Sequence, residues 1–153
     1  MEAVSASMSS EFSTRFTAEN CIDGEITDTS DYCSTGADRV PWLALDFGAA
    51  VTVVRVVIYN RFTDPDRFKN ADIWVADQAP VSTEQMFTGG QLLGNFTGTA
   101  AAGEVITLTS SPGLGGSFVI VQINGQGKNT FLHLHEVTVW GYIESKSTTS
   151  TTT

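Results

Sequence analysis

Apolar residues gather in short runs along the chain, and turn-forming residues bound each run. The runs have the length of β-strands, are rich in Val, Ile, Phe and Trp, and show no sustained helical period. They span residues 42–47, 53–60, 71–77, 104–109, 117–123 and 131–140. Segments rich in Gly, Pro and Asp supply turns between them. The pattern predicts an all-β protein of two packed antiparallel sheets, with room for one helical turn at residues 84–87.

The run at residues 53–60 has one wholly apolar face. Its even positions are Val54, Val56 and Ile58, while the odd positions include Arg55 and Tyr59. Because successive side chains of a strand point to opposite faces, the even positions are expected to face the core.

Glu136 is out of place in the last run. Leu132, Leu134 and Glu136 fall on the same face of a regular strand, and that face begins apolar. Burying an unpaired carboxylate costs several kcal/mol, at the order-of-magnitude level. Either Glu136 therefore has a partner, or a bulge or strand edge lets it reach water.

Composition limits the classes of partner. The 153 residues suit a single domain, and 17 Asp and Glu against 8 Lys and Arg give a formal net charge of −9. That balance argues against binding nucleic acid and against docking on anionic lipid. Residues 1–10 have neither the apolar run of a signal sequence nor that of a membrane-spanning helix.

Much of the negative charge is local. Residues 19–38 contain six acids and no base, interleaved with Gly, Ser and Thr. Such a loop offers the carboxylate, carbonyl and hydroxyl oxygens that Ca²⁺ prefers, although its pattern is not that of an EF-hand. The alternative is a solvated acidic loop without a metal.

Cys21 and Cys33 lie in the same acidic loop. Their spacing fits neither a CxxC redox pair nor a zinc ribbon. They are either a disulfide, which we favour, or two free thiols of a cytosolic protein. A bridge closing so short a loop would stabilise the fold by roughly 2–3 kcal/mol.

The end of the chain differs in composition from the rest. Residues 145–153 contain eight Ser or Thr out of nine. We expect a β-sandwich domain over residues 1–143 and a Ser/Thr-rich linker or tail over 144–153. The tail favours a secreted or cell-surface location within a larger modular protein.

Five motifs, taken in order, resemble the discoidin or coagulation-factor type C superfamily, and within it the F-type lectins or fucolectins. They are NCIDG at 20–24, PWLALD at 41–46, VIYNR at 57–61, RFKNADI at 67–73 and LHEVTVWG at 134–141. The resemblance covers roughly residues 15–142. It implies an eight-stranded antiparallel β-sandwich jelly roll with a structural calcium ion and a ligand pocket in loops at one end.

The resemblance also implies a set of calcium ligands. They would be the carbonyl groups of Asn20, Glu25 and His135, the carboxylates of Asp23 and Glu136, and the hydroxyl and carbonyl of Ser34. A bound ion would explain the unusual position of Glu136. It would also join the acidic loop to the last strand.

For the sugar, fucose-binding members typically use one His and two Arg, and Arg61 and Arg67 match the two Arg positions. The motif departs from the family in the residues after the first Arg, and no His lies in residues 35–40. The other candidate contacts with a sugar are Tyr32, Asp38, Arg39, Phe62 and Asp64. In the alternative, Arg61 and Arg67 pair with Asp64 and Asp66, and no sugar site exists.

These features predict a calcium-stabilised carbohydrate-binding module for cell-surface or secreted glycans, fucose-type sugars among them. The alternative is a discoidin-like adhesion module that binds a protein. An enzyme is not expected, because His133, His135 and Glu136 suggest at most an incomplete zinc site, and no nucleophile has an evident base beside it.

Overall fold

The computed structural model describes residues 1–27, 30–145 and 151–152, and antiparallel strands dominate it. Asp28, Thr29 and most of the predicted Ser/Thr tail lie outside the described residues. The strands are β1 Ser5–Met8, β2 Cys33–Ser34, β3 Trp42–Tyr59, β4 Lys69–Ala76, β5 Gly90–Thr99, β6 Val105–Ile123, β7 His133–Leu134 and β8 Glu136–Ile143. Two short 3-10 helices span Ala18–Cys21 and Pro65–Arg67. No helix in this part of the chain is long and apolar enough to cross a membrane. The predicted all-β antiparallel sandwich is confirmed.

Two long strands organise the sandwich. β3 merges the runs predicted at 42–47 and 53–60, and β6 merges those at 104–109 and 117–123. The first part of β3 pairs with β1 on one side and with the last part of β6 on the other. That part of β6 also pairs with β4, and β4 pairs with β5. The second part of β3 pairs with β8 and with the first part of β6. Both long strands therefore contribute to both layers.

A bulge changes which side chains of β3 face the core. The register shifts between Val53 and Arg55 in the pairing with both neighbouring strands. Val53 is buried before the bulge, and Val56 and Ile58 are buried after it, whereas Val54 is only half-buried. The expectation that Val54 faces the core is wrong, because one extra residue in a strand reverses the alternation of faces.

A loop covers a small apolar cluster on the outer face of the sheet. Trp42, Ala44, Ala76 and Ile120 are buried there beneath Phe87 and its neighbours. The helical turn allowed at residues 84–87 is absent. The hydroxyl of Ser82 accepts hydrogen bonds from the amides of Glu84 and Gln85, which gives these groups a local alternative to a helix.

The loop that contains the acidic residues is fastened to the last strands. Cys21 and Cys33 form a disulfide with their Cα atoms 5.4 Å apart, so the favoured alternative is confirmed. Cys33 and Ser34 of β2 pair with Leu134 and His133 of β7. The Sγ atom of Cys21 lies 3.2 Å from the carbonyl oxygen of Leu134. Residues distant in sequence therefore meet at one short strand pair.

Removing this bridge is expected to destabilise the fold. The double variant Cys21→Ala, Cys33→Ala should lose about 3 kcal/mol of unfolding free energy, because the bridge no longer restricts the unfolded chain. The cysteines are separated by 12 positions, and this short loop sets the size of the effect. Urea unfolding followed by tryptophan fluorescence measures it. Reduction of the unaltered protein should give a similar loss, and an unchanged midpoint in both experiments would contradict the expectation.

Candidate functional site

Two arginines and one histidine meet at one end of the sandwich. Arg61 follows β3, Arg67 ends the second 3-10 helix, and His133 begins β7. Nη1 of Arg61 lies 2.6 Å from Nδ1 of His133, and Nη1 of Arg67 lies 3.3 Å and 3.2 Å from its Nδ1 and Nε2. A guanidinium group only donates, so Nδ1 of His133 accepts the hydrogen bond from Arg61 and the imidazole is neutral. We call these three residues the Arg-His cluster.

A short turn after β3 brings the two arginines side by side. The side-chain amide of Asn60 donates to the carbonyl groups of Pro65 and Ala101, which fixes the turn from within. Asp64 adopts a left-handed conformation with φ of 47°, and Pro65 then starts the 3-10 helix. The amide of Arg67 donates to the carbonyl of Asp64 and completes the turn.

Aromatic rings support the guanidinium groups. The Cζ atom of Arg61 lies 3.5 Å from the ring centre of Tyr32, and that of Arg67 lies 4.6 Å from the ring centre of Phe131. The ring of Phe16 stacks on the ring of Tyr32, with the two ring centroids 4.2 Å apart. Cation–π attraction and stacking hold the planar groups in place without a carboxylate. We call Phe16, Tyr32 and Phe131 the aromatic wall.

No acidic side chain of the described residues forms an ion pair with the Arg-His cluster. Among the described residues, neither guanidinium group has a carboxylate oxygen within 4.0 Å, so the pairing with Asp64 and Asp66 is absent there. Arg61 is only 7% exposed, and burial lowers its pKa. Burial together with the positive charges of Arg67 and Arg61 lowers the pKa of His133 to about 3. The cluster is therefore a partly buried group of hydrogen-bond donors with a net positive charge.

Four of the predicted sugar-binding residues meet at the cluster. Tyr32 contacts Arg61, and the negative charge of Asp64 acts on Arg61 and on His133. Sequence reasoning placed the two arginines and Tyr32 here but assigned no sugar contact to His133. The signal that was missed is the pairing of His133 with Ser34, which no local motif reveals.

The other three predicted sugar-binding residues have different contacts. The carboxylate of Asp38 accepts hydrogen bonds from the hydroxyl groups of Ser9 and Ser10. Arg39 and Glu84 form an exposed ion pair, with their charged atoms 3.8 Å apart. The ring of Phe62 lies against Gly103, where even a Cβ atom would be 2.5 Å from the ring. The partners of these three side chains are therefore residues other than those of the Arg-His cluster.

Glu136 lies at a second, acidic site. It is 2% exposed, so the alternative in which it reaches water is wrong. Its Oε2 accepts a hydrogen bond from the amide of Gly24 at 3.3 Å. Burial raises the pKa of Glu136 to about 8, and a hydrogen bond with the carboxyl group of Asp23 and the charge of that group add to the effect. Two carboxyl groups in such contact share either a proton or a cation. Both line a cavity of about 270 Å³.

The remaining predicted metal ligands lie on segments that converge next to Glu136. The disulfide and the β2–β7 pairing hold these segments side by side. The amide of Glu25 donates to Oδ1 of Asp23, and the hydroxyl of Ser34 is buried. The predicted ligands on these segments are Asn20, Glu25, Ser34 and His135. No three His, Cys, Asp or Glu side chains of the described residues form a metal-binding group, so the zinc alternative lacks a third ligand there.

Comparison with known families identifies the domain. A family model for a coagulation-factor type C domain, described as the NedA-like, galactose-binding domain, matches residues 20–115. The chain belongs to this family. The expected resemblance is thereby confirmed. The matched residues of this galactose-binding-type domain include Tyr32, Arg61 and Arg67, whereas His133 lies beyond them. A comparison with curated protein sequences gives no match.

The solved structures similar to this galactose-binding-type domain include a fucolectin, a fucose-binding module and a module in complex with galactose. A fucolectin from striped bass (Morone saxatilis) serum matches with a TM-score of 0.77 and 25% identity, covering 91% of this chain. The chain spans only 47% of the length of that fucolectin. A fucose-binding module from Streptococcus pneumoniae matches with a TM-score of 0.70 and 21% identity, over 94% of this chain and 93% of that one. A family 32 module from C. perfringens NanJ, solved with galactose, has a TM-score of 0.66 and 21% identity, over 88% and 91% of the two chains.

The neutral state of His133 predicts a pH dependence of stability. Its pKa is about 3 in the folded domain, against an ordinary value of 6.5, so the unfolded chain binds the extra proton first as the pH falls. The contribution of His133 to the unfolding free energy should drop by on the order of 2 kcal/mol between pH 8 and pH 5. Chemical denaturation at several pH values measures the slope. His133→Gln should flatten it, and an equal slope in the variant would contradict the assignment.

Proposed function

We propose that this domain is a carbohydrate-binding module without catalytic activity, and that the Arg-His cluster is its sugar site. The supporting observation is that the two guanidinium groups contact a neutral imidazole and aromatic rings but no carboxylate of the described residues. Donors held in this way suit the hydroxyl groups and ring oxygen of a sugar. The similar structures include a fucolectin, a fucose-binding module and a module solved with galactose.

The cluster is arranged to bind with little loss of conformational freedom. Stacking on Tyr32 and Phe131 orients the planar groups of Arg61 and Arg67 before a ligand arrives. Binding then has less side-chain entropy to lose, which favours affinity from a small contact area. An aromatic ring also suits the apolar face of a pyranose, so the aromatic wall would complement the polar contacts.

The same proposal assigns a structural role to Ca²⁺. The carboxylates of Asp23 and Glu136 would hold the ion together with oxygens of Asn20, Glu25, Ser34 and His135. Two acidic groups in contact, one of them buried, suit a hard divalent cation that replaces the shared proton. The ion would supply the missing positive charge and join the acidic loop to β8.

The proposed location is extracellular, with glycans or glycoproteins as partners. A disulfide within the domain suits an oxidising compartment. The acidic net charge of −9 disfavours direct contact with anionic membranes, so contact with a cell surface would occur through glycans.

Sugar binding is expected to depend on both arginines. Arg61→Gln and Arg67→Gln should each weaken binding to fucosylated or galactosylated oligosaccharides by about tenfold or more, since each removes charged hydrogen-bond donors. A glycan array followed by calorimetry measures the effect. Arg55→Gln is the matched control, because Arg55 stacks on Trp140 on a different surface. Binding that survives both substitutions would place the site elsewhere, and a blank array would favour adhesion to a protein partner.

Calcium is expected to raise the stability of the domain. Addition of Ca²⁺ to chelator-treated protein should raise the Tm by several degrees, because the ion binds only the folded state. Glu136→Gln should abolish the response while leaving the metal-free domain folded, since a neutral amide is cheaper to bury than a carboxylate. Glu84→Gln, on an exposed surface, should respond like the unaltered protein. A Tm that Ca²⁺ does not move would remove the metal assignment.

A further inference from the structure

A second cavity is lined by residues that lie close in sequence to the Arg-His cluster and to the aromatic wall. Its volume is about 380 Å³. Lys69 lies two positions after Arg67, and Thr130 directly precedes Phe131, whose ring Arg67 contacts, so two chain segments lead from the cluster to the cavity. The cavity is lined by Lys69, Asn70, Asn124, Gly125, Gln126, Lys128, Asn129 and Thr130. We call it the lysine cavity.

The backbone of the lysine cavity is fixed by specific contacts. Asn70 has a φ of 45°, its side chain accepts a hydrogen bond from the amide of Gly98, and its carbonyl accepts one from the amide of Asn124. A Cβ atom on Gly125 would lie 2.3 Å from a carbonyl oxygen of Arg39, so only glycine fits there. Gln126 also has a positive φ, of 51°. Conformations of this kind cost of order 1–3 kcal/mol and concentrate at functional sites.

The charge of the lysine cavity is opposite to that of the chain. Lys69 and Lys128 line it together with side-chain amides, and none of the described residues that line it is acidic. The carboxylate of nearby Asp38 is engaged by two serine hydroxyl groups. With Arg61 and Arg67, the lysines are four of the eight Lys and Arg residues of an acidic protein, and they outnumber Asp64 and Asp66, the acids of the turn that carries the arginines. This local excess of positive charge attracts an anion.

We propose that the lysine cavity is a second subsite, which binds an anionic sugar residue of a glycan whose neighbouring sugar occupies the Arg-His cluster. The inference rests on the proposed function and names its ligand class: oligosaccharides with a carboxylate or sulfate group. The lysine ammonium groups bind that group as point charges, and the amides of Asn70 and Asn129 bind hydroxyl groups of the same residue. The Arg-His cluster alone holds a neutral sugar.

Calorimetry with three matched probes tests the subsite: a Lewis-type trisaccharide containing fucose and galactose, its sialylated form and its sulfated form. We expect at least one acidic form to bind about tenfold more tightly than the neutral one at low salt, with the advantage shrinking as salt is added. Lys69→Gln and Lys128→Gln should each reduce that advantage severalfold and leave the neutral affinity unchanged. Arg55→Gln, which removes one positive charge from a distant surface, should change neither the advantage of the acidic forms nor the affinity for the neutral one.

The outcomes separate the subsite from the sugar site. If only the sialylated form binds more tightly, the ligand group is a carboxylate. If only the sulfated form binds more tightly, the ligand group is a sulfate. Equal or weaker binding of both acidic forms, with neutral binding lost in Arg61→Gln, overturns the subsite and leaves the proposed function standing. An acidic preference that persists in both lysine variants also overturns it. Failure of all three probes to bind overturns the subsite as stated, and a blank glycan array in addition removes the proposed function itself.

Discussion

The two candidate sites depend on a single short strand pair. β2 and β7 are only two residues long each, and they pair through Cys33 with Leu134 and through Ser34 with His133. The disulfide to Cys21 adds a covalent restraint to this pairing. Such short strands are weak on their own, so the surrounding core and the bridge must supply their stability. One constraint therefore orients His133 towards the arginines and brings Glu136 to Asp23.

The arrangement also separates charge over a short distance. His133 stays neutral because it is buried between two guanidinium groups, whereas Glu136 resists ionisation because it is buried against another carboxyl group. Only two residues separate them in the chain. Burial strengthens each of these electrostatic effects, since little water is present to screen them. The Arg-His cluster, whose guanidinium groups pair with no carboxylate of the described residues, suits an electron-rich ligand. The contact between Asp23 and Glu136 suits a cation.

Sequence patterns predict elements that rely on local signals and miss those that rely on pairing across the fold. Buried runs identified most of β3, β4, β6 and β8, because their apolar residues are continuous. β5 is rich in Gly and polar residues and is mostly exposed, so it gives no such signal. Glu136 stood out because it interrupts an apolar face. The place of His133 beside the arginines was missed, because its partners lie 66 and 72 positions away.

Val54 and Glu136 illustrate a second physical limit of sequence patterns. A bulge beside Val54 and a break in the strand at His135 each reverse the alternation of faces, and neither has a sequence signature of its own. Before the break, Leu132 and Leu134 face the core; after it, Val137 and Val139 do. At the break, a carboxylic acid, Glu136, occupies a buried position instead of an apolar residue. The backbone is therefore irregular, and regular strand pairing is interrupted, at the point where the polar groups of both candidate sites are buried and oriented.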